Sequence, residues 1–207
     1  MGMPKQKSGI HCWQAFFKRA FDLAGSIIGL MLTGWLIILA YLVSTLDTKQ
    51  SGFFTQERIG LNGCSFKVIK IRTMRNINNI KTNVTTRNDP RITKLGMFLR
   101  RFNIDEFPQL INILLGEMSF VGPRPDVPGY ADRLKDDDKI ILSVKPGITG
   151  PATLKYRDEE ELLASQKDPE KFNQTVIFPD KVRINREYVE KYRLRNDFLY
   201  IWETIFG

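Results

Sequence analysis

The chain has 207 residues, with 31 Lys and Arg against 23 Asp and Glu, a net charge of +8 and a pI near 9.5. That length holds one domain with a core, and the basic balance suits anionic partners: nucleic acid, a charged membrane surface or phosphorylated substrates. One histidine, His11, in a polar tail excludes His-based metal centres and Ser-His catalysis, and the isolated Cys12 and Cys64 exclude a disulfide framework and fit a reducing compartment. No helix-turn-helix, zinc-finger or RNP-type pattern favours nucleic acid, and carboxylates remain as the candidate catalytic groups.

Residues 1–12 read as a polar tail. Trp13, Phe16, Phe17 and Phe21 then mix with Lys18 and Arg19, as at a membrane interface. Leu23 to Leu46 carries no charge over 24 residues. That is long enough to cross a bilayer and too long for a signal-peptide core. A buried core helix is the alternative, though soluble helices rarely run apolar on every side. Cations flank the segment on both sides, which keeps both ends in the cytoplasm. A bend at Gly34, with the Ser26 and Thr33 hydroxyls satisfying freed backbone groups, meets that demand. The expected organisation is therefore a membrane-inserted helix over 13–47 that enters and returns, followed by a cytoplasmic domain over 48–207.

Phe53–Gly60 and Cys64–Arg72 are β-rich runs joined by Gly and Asn, the pattern of a hairpin. Alternation puts Lys70 and Arg72 on one strand face, where two cations suit a diphosphate or are simply solvated. Asn76–Asn88 reads as a loop. From Arg91 to Phe102, apolar Ile92, Leu95, Phe98, Leu99 and Phe102 recur at helical spacing among Arg91, Lys94, Arg100 and Arg101. Asn103 and Glu106 then form a capping-box pattern before an apolar run that Gly116 stops. This places Asp105 and Glu106 in the first turn of a helix, where free N–H groups and the dipole hold a carboxylate ionised, as nucleophile or metal ligand. The plainer reading is a structural cap beside a solvated basic face. Next, Gly122-Pro123-Arg124-Pro125 is a stiff loop presenting one arginine, because Pro123 and Pro125 fix φ and restrict the residues before them.

Tyr130–Ser143 reads as a charged helix, with Asp136, Asp137 and Asp138 a solvated surface. Lys145–Gly150 is a turn-rich loop and Asp158–Lys167 a surface helix. Two further helices are expected over Lys181–Arg193 and Asp197–Phe206. The second is unusually aromatic, which suits a core helix or a helix lying at a membrane interface.

The ordered string Leu99-Arg100, Ile104-Asp105-Glu106, Pro108-Gln109-Leu110, Asn112, Leu114, Gly116, Met118-Ser119, Val121-Gly122-Pro123-Arg124-Pro125 closely resembles the signature of the bacterial sugar transferases, the small monotopic phosphoglycosyl transferases. Gln56-Glu57-Arg58-Ile59-Gly60, Lys70-Ile71-Arg72-Thr73-Met74 and Lys145–Gly150 also resemble family stretches, and the likeness runs from about Lys18 to the C-terminus. The resemblance implies an α+β, mostly helical, monotopic membrane protein with a re-entrant helix, a β-hairpin and amphipathic interface helices. It further implies a place on the cytoplasmic face of the bacterial inner membrane. The implied reaction moves a sugar-1-phosphate from a UDP-sugar to polyprenyl (undecaprenyl) phosphate, releasing UMP and starting a membrane-linked glycan.

By the same resemblance Asp105 is the nucleophile and Glu106 its partner, as metal ligand or acceptor-activating base. Arg100, Arg124 and Arg157 are phosphate or nucleotide ligands, with Lys70 and Arg72 as further cations and Pro123 and Pro125 framing Arg124. Mg²⁺ is the expected cofactor, held at Asp105 and Glu106, since it suits carboxylate and phosphate oxygens. The expected partners are the donor, the lipid acceptor and the phospholipid membrane, with no nucleic acid; a second copy or downstream glycosyltransferases are possible associates. The chain departs from the family at the membrane-helix break, where Gly34-Trp35 replaces a Ser-Pro pair, and at Pro151–Tyr156, which replaces the commoner WAQVNG. Two rival readings are an inactive membrane-associated scaffold and a basic lipid-binding module.

Overall fold

The computed structural model describes residues 10–77, 85–86 and 89–207. Residues 1–9 of the expected tail and most of the Asn76–Asn88 loop lie outside them. The architecture is mostly helical with two small sheets, in keeping with the α+β expectation.

Helix α1 runs from Cys12 to Thr48, 37 residues without interruption. At 1.5 Å per residue that is roughly 55 Å, longer than the roughly 30 Å hydrocarbon thickness of a bilayer. No break interrupts the helix at Gly34, where the sequence suggests a bend. Unlike proline, glycine keeps its N–H and only weakens a helix, by about 1 kcal/mol against alanine. The hydroxyls meant to rescue a break make ordinary bonds within the helix, Thr33 Oγ1 to the Gly29 carbonyl at 2.7 Å and Ser26 Oγ to that of Leu23 at 3.0 Å.

α1 is inverted relative to a soluble amphipathic helix. Its covered side buries Lys18, Asp22, Ser26, Ser44 and Thr48 along with Ile37 and Ala40, while Met31 is 77% and Leu46 79% exposed, with Leu32, Trp35 and Ile38 beside them. Both ends pack on the same body. Near the start, Asp22 accepts from Ser119 Oγ and the Phe120 N–H, both at 3.1 Å. Near the end, Ser44 donates to the Arg72 carbonyl at 2.5 Å and Thr45 Oγ1 accepts from the Gly52 N–H at 2.9 Å. Between them, a Cβ on Gly29 would sit 3.0 Å from Leu110 Cδ1, so glycine permits the close approach.

Strands β1 (Phe53–Ile59) and β2 (Ser65–Ile71) form the antiparallel hairpin read from the sequence, with Phe54 opposite Lys70. Its tight link uses Asn62 and Gly63, both at positive φ. α2 (Lys94–Arg101) is capped by Thr93, whose side chain accepts from the Gly96 N–H at 2.8 Å. α3 (Gln109–Leu115) ends at Gly116 in the left-handed region, as expected. β3 (Ser119–Val121) pairs in parallel with β4 (Gly147–Thr149). Gly122 and Gly147 face each other there with no room for a Cβ on either.

The remaining helices are α4 (Pro151–Lys155), α5 (Glu159–Ala164), α6 (Pro169–Phe172), α7 (Phe178–Glu190) and α8 (Leu194–Phe206). α7 and α8 each begin three residues before the sequence boundary. The helix expected over Tyr130–Ser143 is instead two 3-10 segments, Ala131–Arg133 and Asp136–Ser143, the second opening on Asp136 at φ 49°. The short acids there resist helix continuation, and Asp137 and Asp138 pair with Arg186 at 3.5 and 3.4 Å on the surface. Three apolar clusters hold the body together: Val121, Val144, Tyr188, Val189 and Tyr192; Ile37, Ala40, Ile71 and Leu99; and Val68, Leu110, Ile113 and Met118.

α8 does not act as a plain core helix. Tyr200 and Ile201 pack on the core, but Phe198, Leu199, Trp202, Ile205 and Phe206 are exposed. Its anchor is Asp197, 4% exposed, which accepts from Lys18 Nζ at 2.6 Å, Tyr188 OH at 2.9 Å and Tyr192 OH at 3.0 Å.

Candidate active site

The acidic pair sits where the hairpin, α2, α3 and the Gly122–Pro125 loop meet. Asn103 takes a left-handed conformation (φ 53°) with no side-chain cap bond, so the capping box read from the sequence does not form. Ile104–Glu106 makes a single 3-10 turn ahead of α3, and the α3 entry is Pro108. The acids therefore precede the helix rather than occupy its first turn.

Asn112 ties this turn to the hairpin. Its amide donates to the Lys67 carbonyl at 2.8 Å and to Glu117 Oε2 at 2.7 Å, while its Oδ1 accepts from the Ile69 N–H at 3.1 Å. Behind it, Arg19 of α1 caps the end of α3 through the carbonyls of Ile113 at 2.6 Å and Leu114 at 3.0 Å. The sequence marked Asn112 within the motif without indicating this role.

Glu106 is clamped by two cations. Lys70 Nζ donates to its Oε1 at 2.8 Å, and Arg124 forks across both oxygens, reaching Oε2 at 3.3 Å. Burial alone would raise the Glu106 pKa, but the Arg124 and Lys70 charges outweigh it and hold the carboxyl far below the usual range. Glu106 is thus held as a carboxylate engaged by two cations. Burial lowers the Lys70 pKa while Glu106 opposes that shift, and Glu106 raises that of Arg124.

Asp105, one residue away, is the opposite case. It is 8% exposed and makes no hydrogen bond or ion pair among the described residues. Burial, then the Glu106 charge, push its pKa up, against Lys70, Arg100 and Arg124. The helix dipole expected at both acids is replaced at Glu106 by two cations, while at Asp105 burial and the Glu106 charge work against the nearby cations.

The other predicted cations divide. Arg100 lies close enough to act on Asp105 and is paired with Glu160 of α5. Arg72 falls one residue beyond β2, and its guanidinium bonds the carbonyls of Ser51 at 2.7 Å and Phe53 at 3.3 Å, over the Phe54 ring. Arg157 bonds the carbonyls of Glu203 at 2.8 Å and Gly207 at 2.7 Å, the end of α8. Strand alternation and motif spacing could not register these backbone acceptors, and neither arginine joins the Glu106 cluster. Pro123 and Pro125 brace Arg124 through their carbonyls, which accept from the Gly147 N–H at 2.9 Å and Arg58 Nη1 at 3.0 Å. Arg58, unassigned from the sequence, is held down to about 10 by burial and by Arg124 beside it.

The family profile described as "Bacterial sugar transferase" matches residues 13–207, nearly the whole chain and every element of this site. The chain belongs to the bacterial sugar transferase family. Among its relatives, the galactosyl transferase CpsE of Streptococcus agalactiae serotype III is 34% identical over 202 residues, covering 91% of this chain and 41% of that protein. The UDP-glucose:undecaprenyl-phosphate glucose-1-phosphate transferase of Escherichia coli K12 is 34% identical, covering 91% of this chain and 39% of its own. The exopolysaccharide production protein ExoY of Rhizobium meliloti is 29% identical, covering 98% of this chain and 90% of that one. The chain thus spans about two fifths of CpsE and the E. coli enzyme, and most of ExoY.

In sugar transferase terms, the tertiary structure gathers Asp105, Glu106, Lys70, Arg100 and Arg124 and leaves Arg72, Arg157 and Gly34 outside.

Proposed function

We propose that this protein moves a sugar-1-phosphate from a UDP-sugar to a polyprenyl phosphate in two covalent steps. The observation that carries this reading is the division between Asp105 and Glu106: one near-buried carboxylate without partners beside one locked to two cations. Phosphoryl transfer needs positioning and charge neutralisation. In the first step an Asp105 oxygen attacks the sugar-side phosphorus, the bond to the bridging oxygen breaks, and UMP leaves with that oxygen. In the second, an oxygen of the polyprenyl phosphate attacks the same phosphorus. The acyl-phosphate bond breaks and Asp105 is restored as a carboxylate.

Each residue has a task that follows from its place. Glu106 preorganises Lys70 and Arg124 against a diphosphate that would otherwise have to order them. Arg100 adds charge once the donor phosphates displace Glu160. The raised basicity of Asp105 makes it a stronger nucleophile in its ionised form. The donor set also fits Mg²⁺, which is held by one or two carboxylates with substrate phosphates and water rather than by an all-protein cage. Asp105 has free oxygens for it and Glu106 lies adjacent; bound there, the ion would neutralise charge on the diphosphate.

The same reading puts the protein on one face of a membrane. α1 presents apolar side chains outward along its middle, yet both ends bond to one body, which supports an embedded helix that does not cross. The outward faces of α2 (Met97, Phe98) and α8 extend that apolar surface. A bacterial plasma membrane, cytoplasmic side, is the setting a UDP-sugar requires. In a Cys64→Ser background, native Cys12 and an introduced Lys49→Cys should both resist an impermeant thiol reagent applied from outside; labelling of one alone would mean a crossing helix.

The reaction test mixes enzyme with UDP-sugars and no acceptor. The expected result is a stoichiometric burst of UMP and a mass gain of one sugar phosphate. UMP appearing only with polyprenyl phosphate, and no trapped adduct, would replace this with direct transfer.

A further inference from the structure

Asp126 follows the Pro123–Pro125 loop and has no part in the steps above. Its backbone is pinned: its carbonyl accepts from the Ile59 N–H at 2.9 Å, and that of Pro125 accepts from Arg58 at 3.0 Å. Its carboxylate, by contrast, makes no hydrogen bond or ion pair among the described residues, although the side chain is half-buried. The charged groups facing it come from three other elements and the loop itself: Lys181 of α7, Arg58 of β1, Glu159 of α5, and Arg124. Lys181 is already engaged by Glu159 at 2.5 Å. A half-buried carboxylate without a hydrogen-bond partner adds little to the fold, which suits a group kept for a ligand.

The position relative to the phosphates is set by the loop. Asp126 follows Arg124 by two residues, so their backbones lie no more than roughly 7 Å apart. A donor whose phosphate meets Arg124 would bring its sugar to the same loop, where the Arg124 charge already acts on Asp126. A free carboxylate there accepts hydrogen bonds from sugar hydroxyls, and its own negative charge disfavours a sugar that carries a carboxylate.

We propose that Asp126 is a sugar-recognition residue for the donor: it accepts hydrogen bonds from the hydroxyls of a neutral hexose and disfavours a uronic acid. This deepens, and rests on, the transfer reaction proposed above.

The test measures acceptor-free UMP release by the full chain in nanodiscs, with UDP-glucose, UDP-galactose and UDP-glucuronate, for wild type, Asp126→Asn and Asp126→Ala. The inhibition constant of UMP, which lacks the sugar, is measured alongside, and thermal melting checks folding. The expected result is at least a tenfold lower kcat/KM for the preferred hexose donor in Asp126→Ala. UMP inhibition should stay within twofold, and Asp126→Asn should narrow the hexose-to-glucuronate preference about tenfold. Unchanged donor ratios in both variants, or an equal loss across all donors and UMP, would overturn the inference and leave Asp126 a structural residue. A wild-type protein that releases UMP from none of the donors would overturn the transfer reaction itself, and the inference with it.

Discussion

Glu106 holds Lys70 and Arg124, and Asp105, its neighbour in the chain, holds no partner among the described residues. Two adjacent carboxylates thus have different chemistry because one side chain turns toward the hairpin and the arginine loop and the other does not. Substituting each should separate nucleophile from scaffold. Asp105→Asn should abolish the UMP burst and the covalent adduct, since an amide is a poor nucleophile, while melting temperature holds or rises because a near-buried unpartnered charge is removed. Intact-mass spectrometry and a thermal melt check both.

Glu106→Gln should damage stability as well as turnover. It leaves Lys70 and Arg124 facing each other without a countercharge. The fold should lose about 1–3 kcal/mol, and turnover should fall by a hundredfold or more. A Gln variant that melts like wild type and keeps activity would mean that the ion pairs are incidental.

Two pH effects follow with opposite signs. Burial raises the Asp126 carboxyl to about 6. Its folded pKa exceeds the unfolded one, so its contribution to stability is full below about pH 4 and is lost as pH rises through about 6. Asp126→Asn should therefore stabilise the protein at pH 7.5 and have little effect at pH 4. Glu106 has a depressed folded pKa. Its contribution is present above the ordinary glutamate range and is lost only as pH falls far below it. Melts at several pH values resolve the two. Because the Asp105 pKa is raised, the UMP burst should decline at a pH above that expected for an ordinary aspartate.

The Asp197 anchor is a buried ion pair with two tyrosine donors. Asp197→Asn leaves Lys18 buried without a countercharge and should cost about 3–5 kcal/mol. Loosening of α8 from α1 should follow, read by faster hydrogen exchange in 194–206. An unchanged melt would show that Lys18 finds water instead.

Glycines of α1 should respond differently to bulk. A Cβ on Gly34 meets nothing within 4 Å, whereas one on Gly29 touches Leu110. Gly34→Leu should leave the melting temperature within a degree or two, and Gly29→Leu should destabilise by about 1–3 kcal/mol. Equal effects would place Gly34 at a packed or bent site.

What the sequence determined by itself was local. The hairpin, α2, the Gly116 stop and the uncharged segment of α1 follow from periods of two and 3.6 and from turn chemistry, all properties of neighbouring residues. The motif located the acidic pair, and the two prolines of 122–125 announced a presented arginine. Only the tertiary structure decided which cations reach which acid. Lys70 meets Glu106 across 36 residues, Arg124 across 18, and Lys18 meets Asp197 across 179. Periodicity has no register at such separations. The fold also sent Arg157 and Arg72 to backbone carbonyls, since a guanidinium takes the acceptors packing brings to it. At Gly34 the helix ran on, because a residue that keeps its N–H weakens the backbone ladder without breaking it.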